Sequence, residues 1–260
     1  MKALITGASG GMGAIYADRL ARRGCDLILV ARNRDRLNAV GDRIRRLHGR
    51  SVETVLADLG QPDDLWRVEA ILRDDAAIGM LVNNAGFDGV APLVQADVDT
   101  MESMIAVNVT ALMRLSYAAA PAFVARGGGS IINISSIVAI APELLNGVYG
   151  GTKAFVLAFS QSLHHELSAK GLRVQSVLPG ATATEFWDVA GLGGSGQLPS
   201  AWVMPAEDMV DAALRGFDAG ELVTIPSLQE EGEWNAYEAA RQVMSGHLSN
   251  ARPAARYLPG

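Results

Sequence analysis

The sequence predicts an α/β fold in which a doubly wound sheet of seven parallel strands carries helices on both faces. Three observations support this prediction. Strand-like and helix-like segments alternate along the 260 residues, which is the order of repeated βαβ units. The strand-like runs are apolar throughout, as in DLILVA at 26–31, and this is typical of strands buried on both faces. No linker or shift of composition divides the chain, so we expect one domain.

Each element follows from a local pattern. Short apolar runs predict strands at residues 2–6, 26–31, 51–57, 79–84, 130–135, 172–178 and 222–226. Apolar residues at helical spacing predict helices at 12–23, 34–47, 62–75, 98–125, 149–169, 205–217 and 233–247. Pro62 is typical of a helix start, and Pro121 predicts a kink. Right-handed crossovers between the strands make the predicted sheet doubly wound.

Two segments lie outside the alternating pattern. The first, 185–204, is rich in glycine, and we expect it to form a mobile lid over a substrate. The alternative for this segment is a surface loop that is only flexible. The second is a C-terminal extension, 227–260, in which Trp234 and Tyr237 suggest docking on its own subunit or on a neighbour.

Composition and charge exclude several classes of protein. The net charge of −6 and the pI of about 5.2 argue against binding to nucleic acid or anionic lipid, which requires a basic face. Cys25 is the only cysteine, so no disulfide forms within the chain, and the four histidines lack the spacing of a metal site. We see no run of about 18 apolar residues that would span a membrane and no signal-peptide pattern. We therefore expect a cytoplasmic protein that holds no metal.

A glycine-rich loop, TGASGGMG at 6–13, follows the first predicted strand and opens the first predicted helix. A helix N-terminus offers unpaired N–H groups and partial positive charge, and glycines let the backbone approach a pyrophosphate. The spacing of Gly7, Gly11 and Gly13 differs from the G-x-G-x-x-G fingerprint, so a tight strand-to-helix turn is the alternative interpretation. The position of the loop after the first strand of an α/β pattern favours nucleotide binding.

The end of the second predicted strand indicates which dinucleotide binds. An acidic residue there would bind the ribose 2′-hydroxyl of NAD(H), whereas an arginine accommodates the 2′-phosphate of NADP(H). The strand ends at Ala31 and is followed by Arg32, which can meet a phosphate through charge-assisted hydrogen bonds. NADP(H) is therefore favoured and NAD(H) is possible. A solvated helix start is the alternative role of this segment.

Seven motifs occur in order along the chain: TGASGGMG, ADL (57–59), NNAG (83–86), NVT (108–110), NISS (133–136), YGGTK (149–153) and PGATAT (179–184). With these motifs the sequence resembles the classical short-chain dehydrogenase/reductases over residues 2–226. The resemblance implies a Rossmann-type fold and an alcohol dehydrogenase or carbonyl reductase that interconverts a ketone and a secondary alcohol. It also implies a homodimer or homotetramer in which long helices pair between subunits.

The resemblance also assigns site residues. It implies a catalytic set of Asn108, Ser136, Tyr149 and Lys153, with Ser135 directed inward as structure. Asn83 is expected beside the ribose and adenine. The cofactor-binding residues that the resemblance implies are Gly7, Ser9, Gly11, Met12, Gly13, Arg32, Asp58, Leu59, Asn84, Ala85, Gly86, Tyr149, Lys153, Pro179, Gly180, Thr182 and Thr184. One departure is Gly10, where the family often has a basic residue, and this leaves Arg32 carrying more of the NADP(H) preference.

The implied catalytic set suits carbonyl reduction. The oxygen of a reduced ketone must take a proton, and a tyrosine phenol can donate it although its ordinary pKa is about 10. Lys153 lies one helical turn from Tyr149, and we expect its charge to lower the pKa of the phenol. Ser136 can donate a hydrogen bond to the substrate oxygen. We expect the amide of Asn108 to hold a water that passes protons to Lys153.

The expected partner is a small carbonyl compound or alcohol. The residues expected near it are Asp88, Val138, Asn146, Phe186 and Trp187, of which Asp88 and Asn146 are the polar anchors. The alternative function is a non-catalytic NADP(H)-binding regulatory protein, against which the complete catalytic set argues. A sugar-nucleotide epimerase or dehydratase would need a larger C-terminal domain than the residues after 226 provide.

Overall fold

The structure, a computed structural model, describes residues 1–88, 91–184 and 199–258. Its internal contacts divide the chain into two compact units, Met1–Pro226 and Ser227–Gly260. The boundary falls where the sequence predicts the start of a C-terminal extension. The first unit contains the sheet, and the described part of the second unit contains one α-helix and no strand.

The strands and helices alternate as the sequence predicts. The strands are β1 (Lys2–Thr6), β2 (Asp26–Ala31), β3 (Val52–Leu56), β4 (Ile78–Asn83), β5 (Gly129–Ile134), β6 (Leu172–Val177), β7 (Thr182–Ala183), β8 (Met204–Pro205) and β9 (Val223–Thr224). The helices are α1 (Gly11–Arg22), α2 (Arg34–His48), α3 (Pro62–Asp74), α4 (Val98–Ile105), α5 (Leu112–Ala125), α6 (Gly147–Leu167), α7 (Ala206–Ala219) and, in the second unit, α8 (Glu231–Ser245). The short strands β7 and β8 are not predicted.

Seven strands form one parallel sheet in the order β3-β2-β1-β4-β5-β6-β9, and β7 pairs separately with β8. The predicted seven-stranded, doubly wound α/β fold is therefore confirmed. Strand order reverses between β1 and β4. Open α/β sheets bind their ligands at such a switch point, in the crevice beyond the carboxyl ends of the strands.

The sheet is buried on both faces because its strands are apolar on both sides. In β1, the side chain of Ile5 belongs to a hydrophobic core that also contains Tyr16 of α1 and Val210 of α7. The side chain of Leu4 points the other way, into the core that contains Phe123 of α5. Both cores contain fully buried aromatic rings, and this explains why the strands lack the polar alternation of a half-exposed sheet.

The predicted helix at 98–125 is divided into α4 and α5 by a π-helical turn, Ala106–Ala111. Such a turn replaces the usual i→i+4 hydrogen bonds with i→i+5 bonds and is frequent at functional sites. Pro121 lies inside α5 and does not end it. The run Val98–Ala125 is long and apolar enough to cross a membrane by length and composition, contrary to the sequence prediction, and half of its apolar window is buried in the fold.

Candidate active site

A cavity of about 580 Å³ opens at the carboxyl ends of the sheet strands and runs from the glycine loop after β1 to Tyr149 on α6. Nearly all of the predicted cofactor-binding residues line it. They are Gly7, Ser9, Gly11, Met12, Arg32, Asp58, Leu59, Asn84, Ala85, Gly86, Tyr149, Lys153, Pro179, Gly180, Thr182 and Thr184. Over the described ranges, no cluster of His, Cys, Asp and Glu side chains suits a metal ion.

The glycine loop has the backbone that an approaching phosphate requires. Gly7 and Gly11 have φ values of +67° and +51°, a left-handed conformation that glycine adopts without strain. Gly13 does not line the cavity, because it lies beneath the loop, and a Cβ there would be 2.3 Å from the carbonyl oxygen of Gly7. Gly13 therefore allows α1 to pack closely on the loop, which corrects its prediction as a contact residue. The loop and the helix start that follows it fit a pyrophosphate.

Asn84, not Asn83, faces the cavity after β4. The Asn84 side chain donates hydrogen bonds to the backbone oxygens of Thr6 (2.9 Å) and Gly7 (3.3 Å), and these tie the end of β4 to the glycine loop. Asn83 is buried within the sheet, where its amide donates to Asn133 Oδ1 at 2.9 Å. A buried amide needs such partners, so Asn83 joins two strands and its predicted place beside the ribose is wrong.

Two arginines line the end of the cavity beyond β2. Arg32 Nη1 lies 3.9 Å from Asp58 Oδ2, and both residues line the cavity. Arg36 lines it as well, although the sequence analysis does not single this residue out. Asn33 caps α2 by accepting a hydrogen bond from the Arg36 N–H at 3.0 Å, which places Arg36 in the first helical turn. The sequence pattern that could have predicted this position is the three-residue spacing between the cap residue Asn33 and Arg36.

Ser136, Tyr149 and Lys153 meet at the other end of the cavity. Ser136 follows β5, Tyr149 lies in the first turn of α6, and the Ser136 hydroxyl forms a hydrogen bond with the Tyr149 phenol. Lys153 Nζ lies 5.6 Å from the centroid of the Tyr149 ring and donates a hydrogen bond to the Ile134 oxygen at 3.0 Å. Ser135 donates to the Lys153 carbonyl at 2.8 Å, so its predicted inward, structural role is confirmed.

Asn108 lies in the π-helical turn and clamps the loop that follows β4. Its amide nitrogen donates to the Phe87 oxygen at 2.9 Å, and its amide oxygen accepts from the Phe87 nitrogen at 3.0 Å. The same amide nitrogen is 3.3 Å from Thr152 Oγ1 on α6. Gly86 must be small here, because a Cβ would lie 2.9 Å from Asn108 Oδ1. Both amide hydrogens are engaged with protein atoms, so the expected water relay through this amide is not what the structure shows.

Comparison with known proteins identifies the architecture. A model of the short chain dehydrogenase family matches residues 1–191. The chain belongs to the short-chain dehydrogenase family. It is 36% identical to a very-long-chain 3-oxoacyl-CoA reductase from Anas platyrhynchos over 189 residues, which are 71% of this chain. The chain spans 60% of the length of that relative.

Solved structures of the short-chain dehydrogenase family match almost the whole chain. A short-chain dehydrogenase from Sphingobium yanoikuyae in complex with NADPH is 50% identical with a TM-score of 0.95, over 98% of this chain and 99% of that one. A bulky-bulky ketone specific alcohol dehydrogenase from Comamonas testosteroni is 45% identical with a TM-score of 0.91, over 99% and 98% of the two chains. The chain therefore belongs to a family of oxidoreductases, and the NADPH of the Sphingobium neighbour agrees with the cofactor that the sequence predicts.

Electrostatics in this short-chain dehydrogenase differ from the expectation for Tyr149 and Lys153. Burial raises the pKa of the Tyr149 phenol well above its ordinary value, the charge of Asp88 raises it further, and the hydrogen bond with Ser136 lowers it in part. Burial lowers the pKa of Lys153 to about 8, and Asp88 opposes this change. Desolvation therefore outweighs the expected effect of the lysine on the phenol.

The predicted substrate residues lie in different places relative to the cavity. Val138 is buried, lines the cavity and packs in one cluster with Tyr149. Asp88 is buried outside the cavity lining, so its carboxylate affects the site through its charge and is not a substrate anchor. Asn146 caps α6 by accepting from the Val148 nitrogen and donates to the Ala91 oxygen, so both ends of its amide serve local structure.

Two further predictions fall outside the described residues. They are Phe186 and Trp187, together with most of the predicted lid at 185–204. The described end of that segment contains Trp202, which is 70% exposed and lines the cavity. Leu144 and Leu145 also line it, and this makes the substrate end of the cavity apolar.

Proposed function

We propose that this chain is an NADP(H)-dependent oxidoreductase that interconverts a ketone and a secondary alcohol, with Tyr149 as the general acid and base. One observation carries the proposal. The cavity that begins at the glycine loop ends at Ser136, Tyr149 and Lys153, so a dinucleotide that occupies it would present its far end to these three side chains. The alternative of a non-catalytic NADP(H)-binding protein gives no reason for a buried phenol, hydroxyl and ammonium to meet there.

The residues have distinct roles in carbonyl reduction. NADPH, when bound, supplies the hydride. The Ser136 hydroxyl donates a hydrogen bond to the carbonyl oxygen and stabilises the negative charge that develops on it. The Tyr149 phenol then gives its proton to that oxygen. The Lys153 ammonium, 5.6 Å from the ring centroid, stabilises the phenolate that remains. Asn108 has an indirect role, because its hydrogen bonds hold the loop at Phe87 against α6.

The protonation states favour reduction at neutral pH. Burial raises the pKa of Tyr149, so the phenol keeps the proton that reduction consumes. Lys153, with a pKa of about 8, carries its charge below that pH and loses it above. We therefore expect ketone reduction to slow as the pH rises past 8, since a neutral amine stabilises the phenolate less. Alcohol oxidation needs the phenolate and should become faster with rising pH.

The substrate that we propose is a ketone with a bulky apolar group on each side of the carbonyl. Phe87, Val138, Leu145 and Trp202 surround the catalytic end of the cavity with apolar surface. The Comamonas neighbour is described as specific for such ketones. An acyl-CoA substrate, which the names of the curated relatives suggest, carries phosphates, and Lys153 is the only Lys or Arg among the described residues at this end of the lining.

A substrate panel tests the proposed function. Purified full-length protein is incubated with NADPH and either a diaryl ketone, a small methyl ketone or acetoacetyl-CoA, and the absorbance of NADPH is followed. We expect turnover with the diaryl ketone at a kcat/KM at least tenfold above that of acetoacetyl-CoA, and a similar preference for NADPH over NADH. Turnover of acetoacetyl-CoA alone would contradict the proposed substrate class and indicate an acyl-CoA substrate instead. No turnover with any carbonyl compound would favour the non-catalytic alternative.

We also propose that the chain forms a homodimer or homotetramer in the cytoplasm. Tyr117 on α5 is 67% exposed and stacks on Phe159 of α6, which in turn stacks on Phe155, so these helices present an aromatic face to solvent. Light scattering should give a dimer or tetramer mass for the wild type and a smaller mass for Tyr117→Glu. Cell fractionation tests the location, with recovery in the membrane pellet as the contradicting result.

A further inference from the structure

The helix of the second unit has no covered face. None of the fifteen residues of α8 is buried. Tyr237 is 49% exposed, Met244 is 55% exposed, and Leu248, just after the helix, is 70% exposed. A helix of this length is only marginally stable by itself in water, and packing of an apolar face supplies most of its stability in proteins. The exposed apolar side chains of α8 therefore indicate a surface that a partner covers.

Four large side chains of α8 follow one line along the helix, which we call the α8 seam. They are spaced by three, four and three residues, in the order Trp234, Tyr237, Arg241 and Met244. This alternation is the a and d pattern of a coiled coil, in which such residues pack against a second helix. The rings of Trp234 and Tyr237 stack on each other along the seam, with centroids 5.4 Å apart. The seam therefore has the spacing of a helix-pairing surface.

Charge in the second unit is segregated along the chain. Residues 227–238 contain no lysine or arginine, and their acidic residues are Glu230, Glu231, Glu233 and Glu238. Residues 239–260 contain no aspartate or glutamate, and their basic residues are Arg241, Arg252 and Arg256. Two antiparallel copies of this segment bring the acidic part of one against the basic part of the other, whereas parallel copies bring like charges together. The segment is therefore complementary in charge to an antiparallel copy of itself.

An antiparallel copy also matches the α8 seam residue by residue. In an antiparallel pair each a residue lies beside a d residue of the partner, so Trp234 meets the partner's Met244 and Tyr237 meets the partner's Arg241. Both pairs have the same midpoint, Ala239, as a two-fold axis requires. A thioether against an indole ring and a guanidinium over a phenol ring are both favourable contacts. One arrangement thus covers the apolar side chains and pairs the charges.

We propose that α8 forms an antiparallel contact with α8 of a second copy of this chain. The C-terminal extension then joins subunits in addition to the aromatic face of α5 and α6. Docking of α8 on its own subunit gives no reason for a seam and a charge pattern that match their own reversed copy. The proposal does not rest on the proposed oxidoreductase activity, and its tests need neither cofactor nor substrate.

Single cysteines at neighbouring positions of α8 test the contact. In the proposed arrangement Ala240 flanks the seam beside the two-fold axis and faces the partner's Ala240, whereas Ala239 points away from the partner. Ala239→Cys and Ala240→Cys are thus matched changes at two exposed alanines. The native Cys25 is buried, so the wild type gives the background of the assay.

Each full-length variant is treated with a short bis-maleimide crosslinker and separated on a denaturing gel. We expect most of the Ala240→Cys chain to appear as a covalent dimer and Ala239→Cys to stay at the wild-type background. A parallel pair would place the two cysteines of Ala240→Cys on opposite sides of the seam and would not crosslink them. No crosslinking of Ala240→Cys, or equal crosslinking of both variants, would overturn the proposal.

A charge placed in the seam gives a second test. Met244→Glu puts a carboxylate against the partner's Trp234, whereas Gln242→Glu adds the same charge at an exposed position outside the seam. In the Ala240→Cys background we expect Met244→Glu to lower the yield of covalent dimer at least fivefold and Gln242→Glu to leave it unchanged. Circular dichroism checks that each variant folds. Equal dimer yields for Met244→Glu and Gln242→Glu would show that the α8 seam does not form the contact.

Discussion

Replacement of Lys153 by methionine should change how the stability of the protein depends on pH. Burial lowers the pKa of Lys153 from 10.5 to about 8. The unfolded chain therefore binds more protons between these two values, and the free energy of unfolding rises with pH across that window. At about 1.4 kcal/mol per pKa unit, the buried ammonium costs the fold roughly 3 kcal/mol below pH 8. Most of this cost is recovered by about pH 10.

Urea denaturation between about pH 7 and pH 10 measures the effect. The wild type should gain roughly 2–3 kcal/mol relative to Lys153→Met over this range, because the variant has no charge to lose. The lost hydrogen bond to the Ile134 oxygen shifts the variant by a constant amount and leaves the slope unchanged. Lys170→Met, at an exposed lysine, is the control and should run parallel to the wild type. A difference between wild type and Lys153→Met that does not vary with pH would refute the argument that burial governs this charge.

Three further variants test the electrostatics and geometry of the site. Asp88→Asn should move the pH profile of ketone reduction to lower pH, because the Asp88 charge raises the pKa of Lys153; an unmoved profile would show that Asp88 is only structural. Asn108→Ala should lower the free energy of unfolding by about 2–4 kcal/mol, measured by urea denaturation, because the backbone groups of Phe87 lose their partners; a loss below about 0.5 kcal/mol would contradict this. Ser136→Ala should lower kcat roughly 100-fold or more in steady-state assays with little change in NADPH affinity, whereas a purely structural Ser136 would leave kcat intact.

Apolar runs were sufficient to predict the sheet. Strands that are buried on both faces appear in the sequence as continuous apolar runs. The ends of every strand in the sheet therefore lie within two residues of the predicted ends, and for β2 both the predicted and the observed strand span 26–31. The π-helical turn around Asn108 was not predictable in this way, because an α-helix and a π-turn share the same apolar spacing. The motif singles out Asn108, but its hydrogen-bond partners at Phe87 come from a distant loop and have no local pattern.

The site predictions failed where the role of a residue depends on the direction of its side chain or on its burial. The adjacent residues Asn83 and Asn84 differ only in that one ends a strand and points into the sheet while the other follows it. The spacing of Tyr149 and Lys153 predicted their proximity correctly but not the direction of the phenol pKa, because spacing carries no information on desolvation. The contact of Arg36 with the glycine loop at Gly10 joins two elements and has no local signature.

The most direct test of the central claim compares ketone reduction by the wild type with reduction by Tyr149→Phe. The substitution removes the buried phenol oxygen and keeps the ring, and Tyr117→Phe is the same change at an exposed site. We expect kcat with NADPH and a bulky ketone to fall by a factor of about 10²–10⁴ in Tyr149→Phe, with NADPH affinity within twofold of the wild type. Tyr117→Phe should keep full activity. Reduction at the wild-type rate by Tyr149→Phe would contradict the assignment of this site as the proton donor.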